Sequence, residues 1–235
     1  MSGLGPGMEI LGESEAPPDF DFHCPLARLP GAFGTTVQSV PAEVPYLYAE
    51  PERVGYWWNK LGTHGFRIGV CWQGSRLKTG LGRSFPLSAL CRVSSLKGVR
   101  LISLQKFDGI EQLDSMPAGM AVETLGTDFD AGPDSFLDAA AVIKNLDLVI
   151  TCDTSIAHLA GALGHPTWVV LQHVPDWRWM MDRDDSLWYP THQLFRQSTA
   201  GQWSDVFESI YRTLVTRLSG ATHGNVASEH SANDE

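Results

Sequence analysis

The stretch from Leu146 to Leu171 confines this chain to a parallel α/β fold. Its two ends, Leu146 to Thr151 and Thr167 to Leu171, are continuous apolar runs rather than alternating ones. Runs of that kind are strands covered on both faces, the situation of a parallel sheet. Between them lie a polar turn (Cys152, Asp153, Thr154), a helix of small residues (Ser155 to Leu163) and a Gly164-His165-Pro166 stop. The result is one βαβ unit with a right-handed crossover. Its polar turn falls at the carboxyl end of a strand, where open α/β sheets take their ligands.

The turn is suited to an anion. Asp153 or Thr154 can cap the helix, and the backbone N–H groups of Thr154, Ser155 and Ile156 then point outward at the positive end of the helix dipole. A phosphate fits such a helix start. Helical side chains lean toward the N-terminus, so His158, one turn in, can reach back over the same spot. Gly161 within the helix costs about 1 kcal/mol relative to Ala, which implies that something packs very close to it.

Strand and helix alternate elsewhere too. Strands are expected at Arg67 to Trp72, Val99 to Gln105, weakly at Ala121 to Leu125, and at Gln193 to Gln197. Helical segments are expected at Pro51 to Leu61, where Val54, Trp57, Trp58 and Leu61 form an apolar stripe, from Leu87, near Ile110, over Asp134 to Lys144, and from Trp203 to Leu218. This is the pattern of a Rossmann-like doubly wound sheet. Pro25, Pro30, Pro41 and Pro45 bar any long helix between Phe20 and Leu47, leaving room for a short piece near Leu26. Met8 to Leu11 reads as a possible short strand, and the segments 1–19 and 219–235 otherwise read as disordered or remnant.

With the common strand order 3-2-1-4-5-6, the loops after the first and fourth strands face each other at the topological switch point. The first loop, from Trp72 to Leu87, carries Arg76, Lys78 and Arg83 among glycines. Arg83 can fork two hydrogen bonds onto a phosphate, and Ser84 adds a hydroxyl or a cap. No G-x-G-x-x-G or Walker A motif follows the first strand, so neither a dinucleotide site nor a P-loop is indicated. The net charge of −10 argues against a nucleic-acid partner. No apolar run reaches the length of a membrane span, and no signal peptide is visible, so the cytoplasm is the expected location. Cys24, Cys71, Cys91 and Cys152 lack C-x-x-C spacing and read as reduced thiols.

The loop from Val174 to Pro190 interleaves Asp176, Asp182, Asp184 and Asp185 with Arg178 and Arg183 and with Trp177, Trp179 and Trp188. The arginines would pair with the aspartates, which leaves no metal site of EF-hand type. The tryptophans either stack on a sugar or base or pin the loop down. Trp177 and Arg178, just beyond the fifth strand, are the best placed for ligand contact.

The segments VCWQGSRLKTGLGRSFPLSAL, LISLQK, DTSIAHLAGALGHP and PDWRWMMDRDDSLWYPTHQLFRQ, in that order, resemble the C-terminal half of GT-B glycosyltransferases of the heptosyltransferase-like, tetratricopeptide-linked group. HCPLARLPGAFGTTVQSVPAEVPYL is similar to the end of that family's N-terminal half and its interdomain connection. The resemblance implies a nucleotide-sugar-binding domain over 66–218, a remnant and connection over 20–65, and a donor linked to UDP, GDP or ADP. It implies that Arg83, Asp153, Thr154, Ser155 and His158 line the donor diphosphate, with Gln73, Gly74, Ser75 and Gln105 nearby. Where the family commonly has Asn, this chain has Ser75. The implied reaction is metal-independent sugar transfer without a cofactor, completed by an N-terminal half or a tetratricopeptide segment supplied elsewhere. Two alternatives stand beside it: a non-catalytic nucleotide-sugar-binding or interaction module, and a sugar-nucleotide epimerase.

Overall fold

The computed structural model describes residues 9–75, 82–132 and 135–226, with side chains to residue 220. Arg76, Lys78 and the last residues of the chain, 227–235, lie outside the described residues. Five strands form one sheet: β1 (Phe66–Cys71), β2 (Val99–Ser103), β3 (Leu148–Cys152), β4 (Thr167–Leu171) and β5 (His192–Arg196). Their order is β2-β1-β3-β4-β5, and every neighbouring pair is parallel. The expected α/β Rossmann-like class is therefore the observed one.

The weak strand expected at Ala121 to Leu125 is a single parallel bridge between Glu123 and Ile102, on the far side of β2. Gly119 and Gly126 flank it at φ 82° and 88° and turn the chain away, so the pairing cannot extend. Counting that bridge as the third strand gives the expected 3-2-1-4-5-6 order. Arg100 holds it in place, clasping both oxygens of Glu123 at 2.7 Å.

β3 begins at Leu148 rather than Leu146. The backbone N–H groups of Asn145 and Leu146 are still engaged in closing the preceding helix, on Val142 and Ile143. Asp147 is taken up by the neighbouring strand, its carboxylate accepting from the Arg67 N–H at 2.7 Å.

Side chains alternate across the strands, so each one feeds two cores. On one face, Ile68, Val70, Leu148, Ile150, Trp168 and Val170 pack against Phe85, Leu87, Leu90 and α6 (Ser204–Val226), which brings in Val206, Phe207, Ile210 and Leu214. On the other, Cys71, Ile102, Leu104 and Val149 meet α2 (Pro51–Leu61), α4 (Leu137–Ile143) and α5 (Ser155–Ala162). The last helix thus runs on past the expected end at Leu218. Trp57 and Leu61 of the α2 stripe are buried, whereas Trp58 is 43% exposed and carries the Arg67 guanidinium over its ring at 5.1 Å. Trp58 is therefore outside the core in which the sequence pattern placed it.

The segment before α2 carries a turn of 3-10 helix and a short α1 (Leu29–Ala32), with Phe20, Phe22, Leu26 and Phe33 all exposed. Glu9 to Leu11 form no strand. The segment is tied down near its end, where the N–H groups of Tyr46 and Leu47 both donate to the Ala162 carbonyl at the end of α5. Among the described residues no helix is long and apolar enough to cross a membrane.

Candidate functional site

The carboxyl ends of β1 and β3 lie side by side, Cys71 opposite Thr151 in register. Their following loops therefore open into one crevice. One lobe, about 560 Å³, is lined by residues that include Gln73, Gly74, Ser75, Arg83, Lys106, Phe129, Asp130 and Phe136. A second, about 500 Å³, is lined by His158, Trp177, Arg178, Trp188 and Tyr189. Arg83, Asp153, Thr154 and Ser155 border both.

Arg83 stands on a braced base. The two ends of its loop are clasped by Gly74 N–H donating to Ser84 Oγ at 3.2 Å and by Phe85 N–H donating to the Trp72 carbonyl at 3.0 Å. The Ser84 hydroxyl is thus a clasp within the loop. It is not a helix cap, because the helical turn that follows starts after Pro86.

The start of α5 has no side-chain cap. Thr154 occupies the cap position with extended backbone, but its hydroxyl turns inward to Thr151 Oγ1 at 3.1 Å and to Cys71 Sγ at 3.8 Å. The capping role expected of this turn is absent for that reason. The consequence favours a ligand: the Ala157 N–H closes on the Thr154 carbonyl at 3.0 Å, but among the described residues the N–H groups of Ser155 and Ile156 meet no acceptor and remain donors beside the crevice.

Arg83 meets that helix start through Asp153. Its Nε lies 3.5 Å from Asp153 Oδ2, and its Nη2 lies 3.4 Å from Asp176 Oδ2 across the crevice. The first contact is an ion pair without hydrogen-bond geometry, so among the described residues the buried Asp153 Oδ2 has charge compensation but no donor. Two long contacts hold the guanidinium loosely, and an incoming dianion competes for it on favourable terms. Among the described residues the charges bordering the two lobes are mixed, with Arg83, Lys106 and Arg178 set against Asp108, Asp130, Asp153 and Asp176. Affinity for an anion must then come from aimed donors rather than from a broad positive field.

His158 is stacked on Trp179 at 5.4 Å and 16°, and its Nδ1 lies 3.1 Å from the Tyr189 hydroxyl. Burial lowers its pKa below the usual imidazole value. Gly161, one turn further on, is where Tyr189 packs. A Cβ there would collide with three carbons of the Tyr189 ring, Cδ2 among them at 2.8 Å. This is the close approach that an interior glycine implied.

In the tryptophan loop, Trp179 is buried while Trp177 is 67% exposed and meets Trp188 edge-on at 6.0 Å. Asp176 accepts from the Arg178 backbone N–H and pairs with its guanidinium at 2.6 Å, and Arg183 grips Asp185 through two bonds. Arg196 on β5 anchors the loop by donating to the carbonyls of Trp179, Met180 and Met181. Trp179 pins the loop, as one of the two readings has it, while Trp177 borders the second lobe of the crevice.

Gln105 borders the crevice but serves as a brace. Its Oε1 accepts from the N–H groups of Trp72 and Gln73, and its Nε2 donates to the carbonyls of Gln73 and Asp108. A ligand contact through that amide would break the joint between the β1 and β2 loops, so the nearby role expected of it is supporting rather than direct. Gln73 in turn accepts from Gln112 Nε2 at 3.2 Å. Sequence reasoning missed Lys106, Phe129, Asp130, Ser135 and Phe136, which line the first lobe. Asp130 is tied to the start of α4 by a reciprocal pair, Asp130 N–H to Asp138 and Asp138 N–H to Asp130, while Asp138 also accepts from Trp57 Nε1 and Arg53. The Asp-x7-Asp spacing ahead of a helix was the available signal. Among the described residues no group of three or more His, Cys, Asp or Glu side chains is placed to hold a metal ion.

Residues 88–170 match the family described as glycosyltransferase family 9 (heptosyltransferase). That span contains the Asp153 to His158 turn but not Arg83. Protein FlbA of Caulobacter vibrioides is 28% identical over 202 residues, which make up 83% of this chain and 33% of FlbA. Among solved structures, E. coli ADP-heptose lps heptosyltransferase II is similar with a TM-score of 0.54 and 16% identity, over 78% of this chain and 55% of that one. E. coli heptosyltransferase WaaC with ADP-2-deoxy-2-fluoro heptose gives a TM-score of 0.47 at 17% identity, over 68% of this chain and 47% of that one. The chain thus spans a third of FlbA and about half of heptosyltransferase II, and with the latter it shares the fold.

Proposed function

We propose that this chain binds a nucleotide-sugar through its diphosphate and is the donor-binding, C-terminal half of a GT-B glycosyltransferase. The observation that carries this reading is the meeting of Arg83 with the uncapped start of α5 in one crevice at the switch point of the sheet. The match to glycosyltransferase family 9 over 88–170 supports it. On this reading 66–218 is the donor-binding unit and 20–65 the connection to a second unit. That unit, or a tetratricopeptide segment, is supplied by another part of a longer protein or by a partner.

In the transfer, the bond between the anomeric carbon and the diphosphate oxygen breaks as an acceptor oxygen bonds to that carbon and gives up its proton to a base. None of the residues above is assigned that base. The charge that builds on the departing diphosphate is met by the Arg83 guanidinium and the N–H groups at the start of α5, which are aimed before the reaction begins. Those donors do the work that a divalent ion does elsewhere, so the transfer proceeds without metal.

Calorimetry with ADP, UDP and GDP, each beside its monophosphate, tests the reading, and chelator-treated protein tests the independence from metal. Diphosphates binding at least tenfold tighter than monophosphates, unchanged by chelator, is the expected result. Binding of no nucleotide, or equal binding of both classes, overturns it. Diphosphate binding with no donor turnover on any acceptor, once the second unit is added, is the outcome of a non-catalytic module.

A further inference from the structure

His158 is held by its own helix and by two residues distant in sequence. Trp179 fixes the plane of the ring by stacking, Tyr189 fixes its rotation through Nδ1, and the helix fixes its root. Tyr46, which helps raise the Tyr189 pKa, is itself pinned to the end of α5 by its backbone bond to Ala162. The absence of a side chain at Gly161 is what admits the Tyr189 ring against the helix at all. Four features, from three elements, converge on the orientation of one imidazole.

The direction of the hydrogen bonds decides what that imidazole offers. A neutral imidazole has one donor and one acceptor nitrogen, and the bond made by one sets the role of the other. A phenol O–H is a strong donor, and the unprotonated ring nitrogen is a better acceptor than a phenol oxygen. The Tyr189 O–H therefore donates to Nδ1.

We propose that Tyr189 is a positioning residue: its hydroxyl donates to His158 Nδ1 and so keeps the imidazole in the Nε2–H tautomer, which presents a neutral donor to a phosphate oxygen in the crevice. The ligand half of this proposal rests on the diphosphate reading given above. Both partners stay uncharged at neutral pH for the same reason. Burial lowers the His158 pKa, and burial followed by the Tyr46 contact raises that of Tyr189. The charges facing His158 oppose one another, Asp153 and Asp176 favouring its protonation and Arg178 and Arg83 resisting it.

The test uses the full chain and the variant Tyr189→Phe, which keeps the ring that Gly161 accommodates and removes only the hydroxyl. Nitrogen-15 NMR of the histidine rings, with His158 assigned by its loss in His158→Gln, reports the tautomer without any ligand. The Nε2–H form in the native chain, becoming a mixture of both forms in Tyr189→Phe, is the expected result. Affinity for ADP should fall roughly five- to tenfold in the same variant, the worth of one aimed hydrogen bond. A native Nδ1–H tautomer, or a tautomer indifferent to Tyr189→Phe, overturns the positioning role. A changed tautomer with unchanged ADP affinity overturns the donor role of Nε2. If the native chain binds no nucleotide, the diphosphate reading falls with the ligand half of the proposal, while the tautomer still decides the role of Tyr189.

Discussion

Replacing Gly161 by Ala should reverse the usual sign of a glycine-to-alanine change in a helix. At an interior position of α5 the substitution ordinarily gains about 1 kcal/mol, because Ala has the higher helix propensity. Here the new methyl group would stand within 2.8 Å of Tyr189 Cδ2 and closer still to two further ring carbons. The ring has little room to retreat, since it is 8% exposed and its hydroxyl is engaged with His158. Overpacking of a filled core costs about 1–3 kcal/mol, and a clash with three atoms of a restrained ring belongs in the upper part of that range. The net result is a loss of about 1–2 kcal/mol. For a chain of this size that corresponds to a Tm lower by roughly 2–8 °C. Urea denaturation followed by tryptophan fluorescence measures the difference directly. In a Tyr189→Ala background the clash is gone, and the same Gly161→Ala change should then stabilise. A Gly161→Ala chain more stable than the native one, or equal effects in both backgrounds, would refute the packing argument.

Arg83→Lys keeps the charge but loses the planar fork, so ADP affinity should drop about tenfold by calorimetry, with stability unchanged within about 0.5 kcal/mol because its existing ion pairs are long. Trp177→Ala should leave stability unaffected, the side chain being 67% exposed, and should weaken retention of the sugar-bearing donor more than that of the free nucleoside diphosphate. The pH dependence of stability follows from two buried histidines. Burial lowers His192 to about 3 and His165 to about 4, from an ordinary value of 6.5. The unfolded chain therefore binds these protons first. Their contribution to stability is complete above pH 6.5 and declines as the pH falls toward 4, by roughly 2–3 kcal/mol per unit for the pair. Among the described residues both ring nitrogens of His192 lack a hydrogen-bond partner, so His192→Phe, which preserves the stacking on Trp179, should flatten that decline. A urea midpoint that is as steep with pH in the variant as in the native chain would sink this assignment.

The parts of the fold legible in sequence are those whose signal is local. β4 occurs where its apolar run stands, and the Rossmann-like strand order follows from handedness and adjacency once the strands are known. The edge bridge at Glu123 was faint because one pairing leaves little periodicity to read. Trp58 fits the apolar stripe of α2 by spacing alone, but it is left 43% exposed with the Arg67 guanidinium over its ring.

Within the crevice, the loops after β1 and β3 were legible because chain reversal at the ends of parallel strands places them there. The Phe129 to Phe136 lining was not, because its position depends on Asp138 reaching Trp57 and Arg53, more than 80 residues earlier. Gln105 stands beside the crevice, as expected, but its amide is occupied in bracing. A polar residue at a strand end looks like a ligand group, and only the hydrogen bonds to four backbone groups reveal it as a joint.

A crystal structure of the chain with bound ADP tests the central claim most directly. The account predicts the β-phosphate within hydrogen-bond distance of the backbone N–H groups at Ser155 and Ile156, with the Arg83 guanidinium drawn onto it from Asp153 and Asp176. Nucleotide seated elsewhere on the sheet, or an Arg83 still held by both carboxylates beside an occupied crevice, would contradict it.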